Sequence, residues 1–118
     1  MTQTFPREKR LLTGKQFERV FKSSKKIVMP AFLVLVSENQ EDRPRIGFAL
    51  SKKYLPKASL RNKIRRIFRE SFRRQFLASV DLVVLARKGL DSMEGSALRL
   101  QLDETWKKVN KLYGYKKT

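Results

Sequence analysis

The sequence contains no cysteine and no histidine. Without cysteine there is no disulfide, no thiol nucleophile and no thiolate metal site. Without histidine, the imidazole base of most hydrolytic and RNA-cleaving protein sites is missing. A chain with neither is a poor candidate for catalysis by its own side chains. Acids are also scarce: 11 Asp and Glu stand against 28 Lys and Arg, a formal net charge of +17. Those acids are not clustered, so no catalytic residue and no metal ligand is assigned. Long hydrophobic runs are absent. The longest apolar stretch, residues 27–36, is interrupted by Pro30 and falls far short of the roughly 20 residues that span a bilayer. The start, MTQTFPREKR, has no apolar core of a secretory signal. These absences lead to the expectation of a soluble cytoplasmic protein without a membrane partner.

What is present is a chain of 118 residues with 41% hydrophobic content and sequence pI about 10.8. That length suits one domain with a hydrophobic core, and periodic segments argue against wholesale disorder. We read 1–118 as a single domain, with about 1–12 and 114–118 expected to be flexible tails. A charge balance this extreme says more about partners than about fold. It points to a polyanion, with nucleic acid ahead of an anionic membrane surface.

The pattern predicts helix, strand, strand, helix, strand, helix. Thr13-Gly14-Lys15-Gln16 matches a capping box, with Leu12 and Phe17 placed for a hydrophobic staple. A first helix follows over 14–22. The run 31–37 (AFLVLVS) suits a strand, with Pro30 at its start or an edge, and the polar residues 38–44 suit a hairpin turn. A second strand is expected over 45–51, with Ile46, Phe48 and Leu50 on one face. A helix is expected over 57–76. The near-continuous apolar run 80–87 predicts a third, central strand. After a turn at 88–92, a last helix is expected over 93–112, with Leu98, Leu102, Trp106, Val109 and Leu112 on one face. The simplest architecture is α+β, a mixed sheet with helices packed on it.

The stretch LRNKIRRIFRESFRR, residues 60–74, holds seven Lys or Arg and one acid, Glu70. On a helical wheel Leu60, Ile64, Ile67, Phe68 and Ser71 form one stripe, with Phe72 at its flank. Asn62, Arg65, Arg66, Arg69 and Arg73 fall on the far side, and Arg61 and Lys63 lie at the margins. Ordinary solvated faces mix signs, because acid–base pairs at i, i+4 support the helix. An unneutralised arginine face weakens its own helix and gains from an anion, and arginine binds phosphate through a planar fork. Lys52 and Lys53 extend this charge toward the helix start, where amide donors favour anions. Phe17 and Phe21, four residues apart, share one face of the first helix. They fit either plain core or a stacking platform for single-stranded RNA, with strand 32–36 as the other wall.

The segment ALSKKYLPKASLRNKIRRIFRESFR resembles the signature of the bacterial ribonuclease P protein subunit. The matching features are Ser51-Lys52-Lys53 after a strand, Ala58 two residues before Leu60, and Arg61-Asn62-x-x-Arg65-Arg66-x-x-Arg69-Glu70. Phe-Pro-Arg upstream, Arg10-Leu11, Phe17-x-x-x-Phe21, PRIG at 44–47 and ARK at 86–88 also fit. The resemblance covers nearly the whole chain. It implies a fold of the ribosomal protein S5 domain 2-like type, with the Arg-rich helix in a left-handed β-α-β crossover. It implies that the chain is a protein monomer within a ribonucleoprotein endonuclease that removes the 5′ leader from precursor tRNA. A large ribonuclease P RNA would then carry the active site and its Mg²⁺. Arg61, Asn62, Lys63, Arg65, Arg66, Arg69 and Arg73, with Lys52 and Lys53, would bind that RNA. Phe17, Phe21 and Phe32 match the family's 5′-leader cleft. Leu35 stands where some relatives carry an aromatic, and it cannot stack on a base.

Three other readings compete. A ribosomal or assembly protein bound to rRNA accounts for the charge equally well. A DNA-binding module would place the Arg-rich helix in a major groove, but no second helix of a helix-turn-helix stands beside it. A protein nuclease would need a site that the residues do not offer.

Overall fold

A computed structural model describes residues 14–39, 41, 43–75 and 77–113. The capping box at Thr13, the staple at Leu12, the matches at 5–11 and the tail 114–118 lie outside these residues. Helix α1 is Gly14–Ser23. Strands β1 (Lys25–Val28), β2 (Phe32–Glu38) and β3 (Arg45–Ala49) follow. Helix α2 is Ala58–Arg73, β4 is Val80–Ala86, and a short 3-10 turn, Leu90–Ser92, leads into α3, Gly95–Tyr113. That turn begins at Gly89, whose φ of 99° lies in the left-handed region that other residues avoid. None of the described helices is long and apolar enough to cross a membrane.

The four strands form one mixed sheet in the order β1-β2-β4-β3. β2 runs antiparallel to both β1 and β4, whereas β3 and β4 are parallel neighbours. The hairpin expected between the strands at 31–37 and 45–51 therefore does not form, because β4 lies between β2 and β3. The real hairpin joins β1 to β2. Pro30 sits in its turn, which is closed by Met29 N–H donating to the Phe32 carbonyl at 2.9 Å. Arg87 holds the same turn by donating to the Met29 carbonyl at 2.6 Å. The expectation of a central strand over 80–87 holds.

Period-2 alternation assigns each strand residue to one face of the sheet. Phe32, Val34 and Val36 of β2 face the main core with Ile46, Leu82 and Val84. α2 and α3 cover that face. α2 contributes Ile64, Ile67, Phe68 and Phe72; α3 contributes Leu98, Leu102, Trp106 and Val109. Phe68 meets both Phe32 and Phe48 edge-on, at 5.0 and 6.0 Å between centroids, an arrangement aromatic rings prefer. Trp106 is core and donates its indole N–H to Ser71 Oγ at 2.7 Å. Tyr113, rather than Leu112, closes the buried face of α3. Its hydroxyl donates to the Val36 carbonyl at 3.1 Å. Burial, and secondarily the charge of Glu38, raise its pKa above the ordinary 10.0, which keeps the phenol a donor. Leu112 instead points out, 40% exposed.

Among the described residues, the other face of the sheet carries only α1. Val20 of α1 packs on Leu35 and Val83, flanked by Phe17, Leu33, Ala49 and Leu85. The clamp is polar. Asp81, a single acid in the apolar strand β4, is fully buried. Its two oxygens accept from Arg45 Nε at 2.8 Å, Arg45 Nη2 at 2.9 Å, Asn39 Nδ2 at 2.9 Å and Arg19 Nη2 at 2.7 Å. Four charge-assisted or amide hydrogen bonds satisfy a carboxylate that would otherwise be very costly to bury. Arg19 belongs to α1, so this cluster fixes the helix over the sheet.

Candidate nucleic-acid interface

Two surfaces stand out, one on each side of the sheet. The first is the outer side of α2. Asn62, Lys63 and Arg66 are exposed, whereas Arg61, Arg65, Arg69 and Arg73 are half-buried. The helix period explains the split. Arg61, Arg65 and Arg69 run along one flank of the helix rather than its crest. Arg61 Nη1 donates to the Leu55 and Pro56 carbonyls at 2.6 and 3.1 Å. Arg65 Nη1 donates to Asn62 Oδ1 at 3.0 Å. The Arg69 guanidinium lies 5.2 Å from the Phe48 ring centroid, a cation–π distance. These contacts hold the arginines in fixed directions before any ligand arrives.

The loop before α2 belongs to the same surface. Ser51 Oγ accepts from Lys53 N–H at 3.1 Å, and the Ser51 carbonyl accepts from Leu55 N–H at 3.0 Å. Leu55 is fully buried and anchors the turn. Lys52 and Lys53 are thus presented in the open beside the helix start. With Arg61 gripping the loop carbonyls, Lys52, Lys53 and the arginine flank form one basic surface.

The second surface is the cleft beside α1. Strand register puts Leu33, Leu85 and Ala49 in one cross-sheet row on the α1 face. Val20 covers the adjacent Leu35–Val83 row and leaves Leu33, Leu85 and Ala49 partly exposed. Phe17 lies half-buried against them, and Phe21 stands 48% exposed on the same helix. An aromatic stands over an aliphatic floor, a geometry that accepts a flat apolar ring.

The four residues expected to share this cleft are not all brought together. Phe17 packs on this row, and Phe21 stands exposed four residues on along the same helix. Leu35 faces the cleft but is only 4% exposed, because α1 sits on it. Phe32 does not belong there. It has the opposite parity on β2, lies fully buried on the other face of the sheet, and packs on Phe68. Leu33 and Leu85 supply the open floor in its stead. The signal that reveals them is alternation: once Leu35 is given the α1 face, Leu33 shares it and Phe32 cannot.

The two surfaces meet at β3, an edge strand. Ala49 closes the cleft row on one side of that strand, and Phe48 carries Arg69 on the other. A single flexible polyanion can therefore follow the surface around this edge. Among the described residues the donor set does not fit a protein-borne Mg²⁺ site. Among the described residues no group of three or more Asp, Glu, His or Cys gathers, and both oxygens of Asp81 are already occupied.

The family model described as Ribonuclease P matches residues 5–110. The ribonuclease P protein component of Legionella pneumophila (strain Lens) is 43% identical over 110 residues, covering 93% of this chain and 96% of its own. That of Pseudoalteromonas atlantica is 44% identical, covering 92% of each. The solved RNase P protein of Thermotoga maritima superposes with a TM-score of 0.76 at 31% identity, covering 86% of this chain and 97% of its own. That of Staphylococcus aureus gives 0.71 at 29%, covering 90% and 95%. Matched along nearly its whole length in both sequence and backbone, the chain belongs to the family of bacterial ribonuclease P protein components.

Proposed function

We propose that the chain works as the protein subunit of ribonuclease P, assisting a catalytic RNA in the endonucleolytic removal of the 5′ leader from precursor tRNA. The observation that carries this reading is the pairing of surfaces: a prearranged arginine flank on α2 and an aromatic-walled cleft beside α1, joined over the β3 edge. The α2 surface binds the ribonuclease P RNA through Asn62, Lys63 and Arg66, with Arg61, Arg65, Arg69, Arg73, Lys52 and Lys53 around them. The cleft takes the single-stranded leader, whose bases stack on Phe17 and Phe21 above Leu33 and Leu85. Hydrolysis of the phosphodiester, leaving the mature 5′-phosphate, is the work of the RNA and its Mg²⁺. The protein acts in the cytoplasm as one copy within the ribonucleoprotein.

The physical contribution of the protein is charge compensation. Catalytic RNA and precursor tRNA are both polyanions and repel each other. A +17 protein at their junction offsets that repulsion and lowers the Mg²⁺ needed for the same task. The family resemblance further implies a left-handed sense for the β3–α2–β4 unit and a fold of the ribosomal protein S5 domain 2-like type. Parallel neighbours β3 and β4 joined through one helix are the arrangement that reading requires.

A test of the leader cleft separates it from the α2 surface. Phe17→Ala and Phe21→Ala are each expected to weaken binding of a leader-bearing precursor tRNA by roughly 1–3 kcal/mol, the worth of one base–aromatic stack. A substrate without a leader should bind the two variants and the parent alike. Equal losses on both substrates would remove the cleft from leader recognition.

A further inference from the structure

We propose that the groove between β1 and α3 is a second docking surface, for an acidic peptide segment of another protein that carries aliphatic side chains. It lies at the edge of the sheet remote from β3, where Val28, paired with Leu33, ends the row of the α1 cleft and Leu112 stands exposed on α3. Lys26, Ile27, Val28, Lys108, Lys111 and Leu112 line a groove of 430 Å³. Val28 and Leu112 are 56% and 40% exposed. Singly, exposed aliphatic residues need no explanation. Here two of them line one groove together with three lysines, and no acid lines it.

Lysine on a short edge strand is a common guard against self-pairing, and that accounts for Lys25 and Lys26. It does not account for Lys108 and Lys111, which project from a helix beside exposed Leu112. Lys108 leans toward Met29, with Nζ 3.8 Å from Sδ, and Lys25 lies 5.3 Å from the Tyr113 ring centroid. The ammonium groups thus frame an apolar slot while β1 keeps an outer edge that no described strand covers.

Charge decides the occupant. A second copy brings another +17. The chain's own ends are also basic: Arg7, Lys9 and Arg10 against Glu8 at one end, Lys116 and Lys117 at the other. RNA would gain phosphate contacts from these lysines but neither an arginine fork nor an aromatic stack, because the lining holds no arginine and no aromatic. An aliphatic floor under lysine ammonium groups matches alternating aliphatic and carboxylate side chains. A segment laid along β1 could add its backbone to the free strand edge, a recurrent mode of peptide recognition.

The test uses the full chain at physiological salt and two labelled ten-residue peptides, one alternating Glu and Leu, the other Glu and Ser. NMR shift mapping reports where each binds, and anisotropy reports how tightly. The Glu–Leu peptide should perturb Ile27, Val28 and Leu112 and bind at least tenfold tighter than Glu–Ser. Lys108→Glu with Lys111→Glu, both exposed positions, should weaken it at least tenfold, with circular dichroism and precursor-tRNA cleavage unchanged. The proposal is overturned if no binding is seen, if the shifts fall on α2 and the 51–54 loop, or if the double variant binds equally. It is also overturned if a single-stranded RNA oligonucleotide produces the groove shifts, since the surface is then an RNA contact. The peptide-binding readouts do not depend on tRNA processing, so their failure leaves the proposed function untouched, and the reverse.

Discussion

Asp81→Ala is expected to lower the stability of the fold by roughly 3–5 kcal/mol, the loss seen when one partner of a buried ion pair is removed. Asp81 is fully buried, and Arg45 beside it is 9% exposed. The substitution leaves the Arg45 guanidinium inside without its carboxylate. Arg19 contributes less to the loss, because its side chain is 44% exposed and can turn to water. The effect also reaches function. Without the Arg19–Asp81 bond, α1 loses its polar tie to β4, and the aromatic wall over Leu33 and Leu85 is held less firmly. Leader-dependent binding should therefore fall in this variant even where the protein remains folded. Urea unfolding measures the first effect, and comparison of leader-bearing with leaderless substrate measures the second. A midpoint within error of the parent would mean that the four-bond cluster holds nothing.

Arg66→Ala is the functional counterpart. Arg66 is exposed on the crest of α2, so its loss should leave circular dichroism and the unfolding midpoint unchanged. Hydrogen bonds to charged groups contribute about 1.5–3 kcal/mol each. Affinity for ribonuclease P RNA should accordingly fall by roughly tenfold to a hundredfold, as 1.4 kcal/mol is a factor of ten. The dependence of log affinity on log salt should flatten by about one phosphate contact. A steep salt response that is unaltered by the substitution would place Arg66 outside the RNA contact. Loss of helical signal would instead give it a structural role.

The contrast between these two residues shows what the sequence exposes and what it hides. α2 is legible because its signal is local: buried Ile64, Ile67, Phe68 and Phe72 recur at helical spacing, and the arginines fill the remaining turns. The run over β4 declares a central strand for the same reason. The Asp81 cluster is not local. Its partners lie 62, 42 and 36 residues away, and only an isolated acid within VDLVVLA hints at it.

β1 escapes sequence reading because a four-residue edge strand buries a single residue, Ile27, and offers no alternation to find. Strand order escapes because residues 38–44 read as a tight turn, and only the packing of β4 between its neighbours shows otherwise. The misplacement of Phe32 has a different origin. Parity on β2 separates Phe32 from Leu35, and the resemblance grouped them although the pleat cannot. For the last helix, Leu112 and Tyr113 differ by one step of about 100° around the axis, which decides which of them meets the sheet.

The measurement that bears most directly on the account is leader cleavage of a precursor tRNA at low Mg²⁺, with bacterial ribonuclease P RNA alone, this protein alone, and both together. The account predicts cleavage only when both are present, and recovery of the RNA-alone reaction as Mg²⁺ is raised. Cleavage by the protein alone would contradict it, and so would tight RNA binding with no stimulation, which would return the chain to the company of ribosomal RNA-binding proteins.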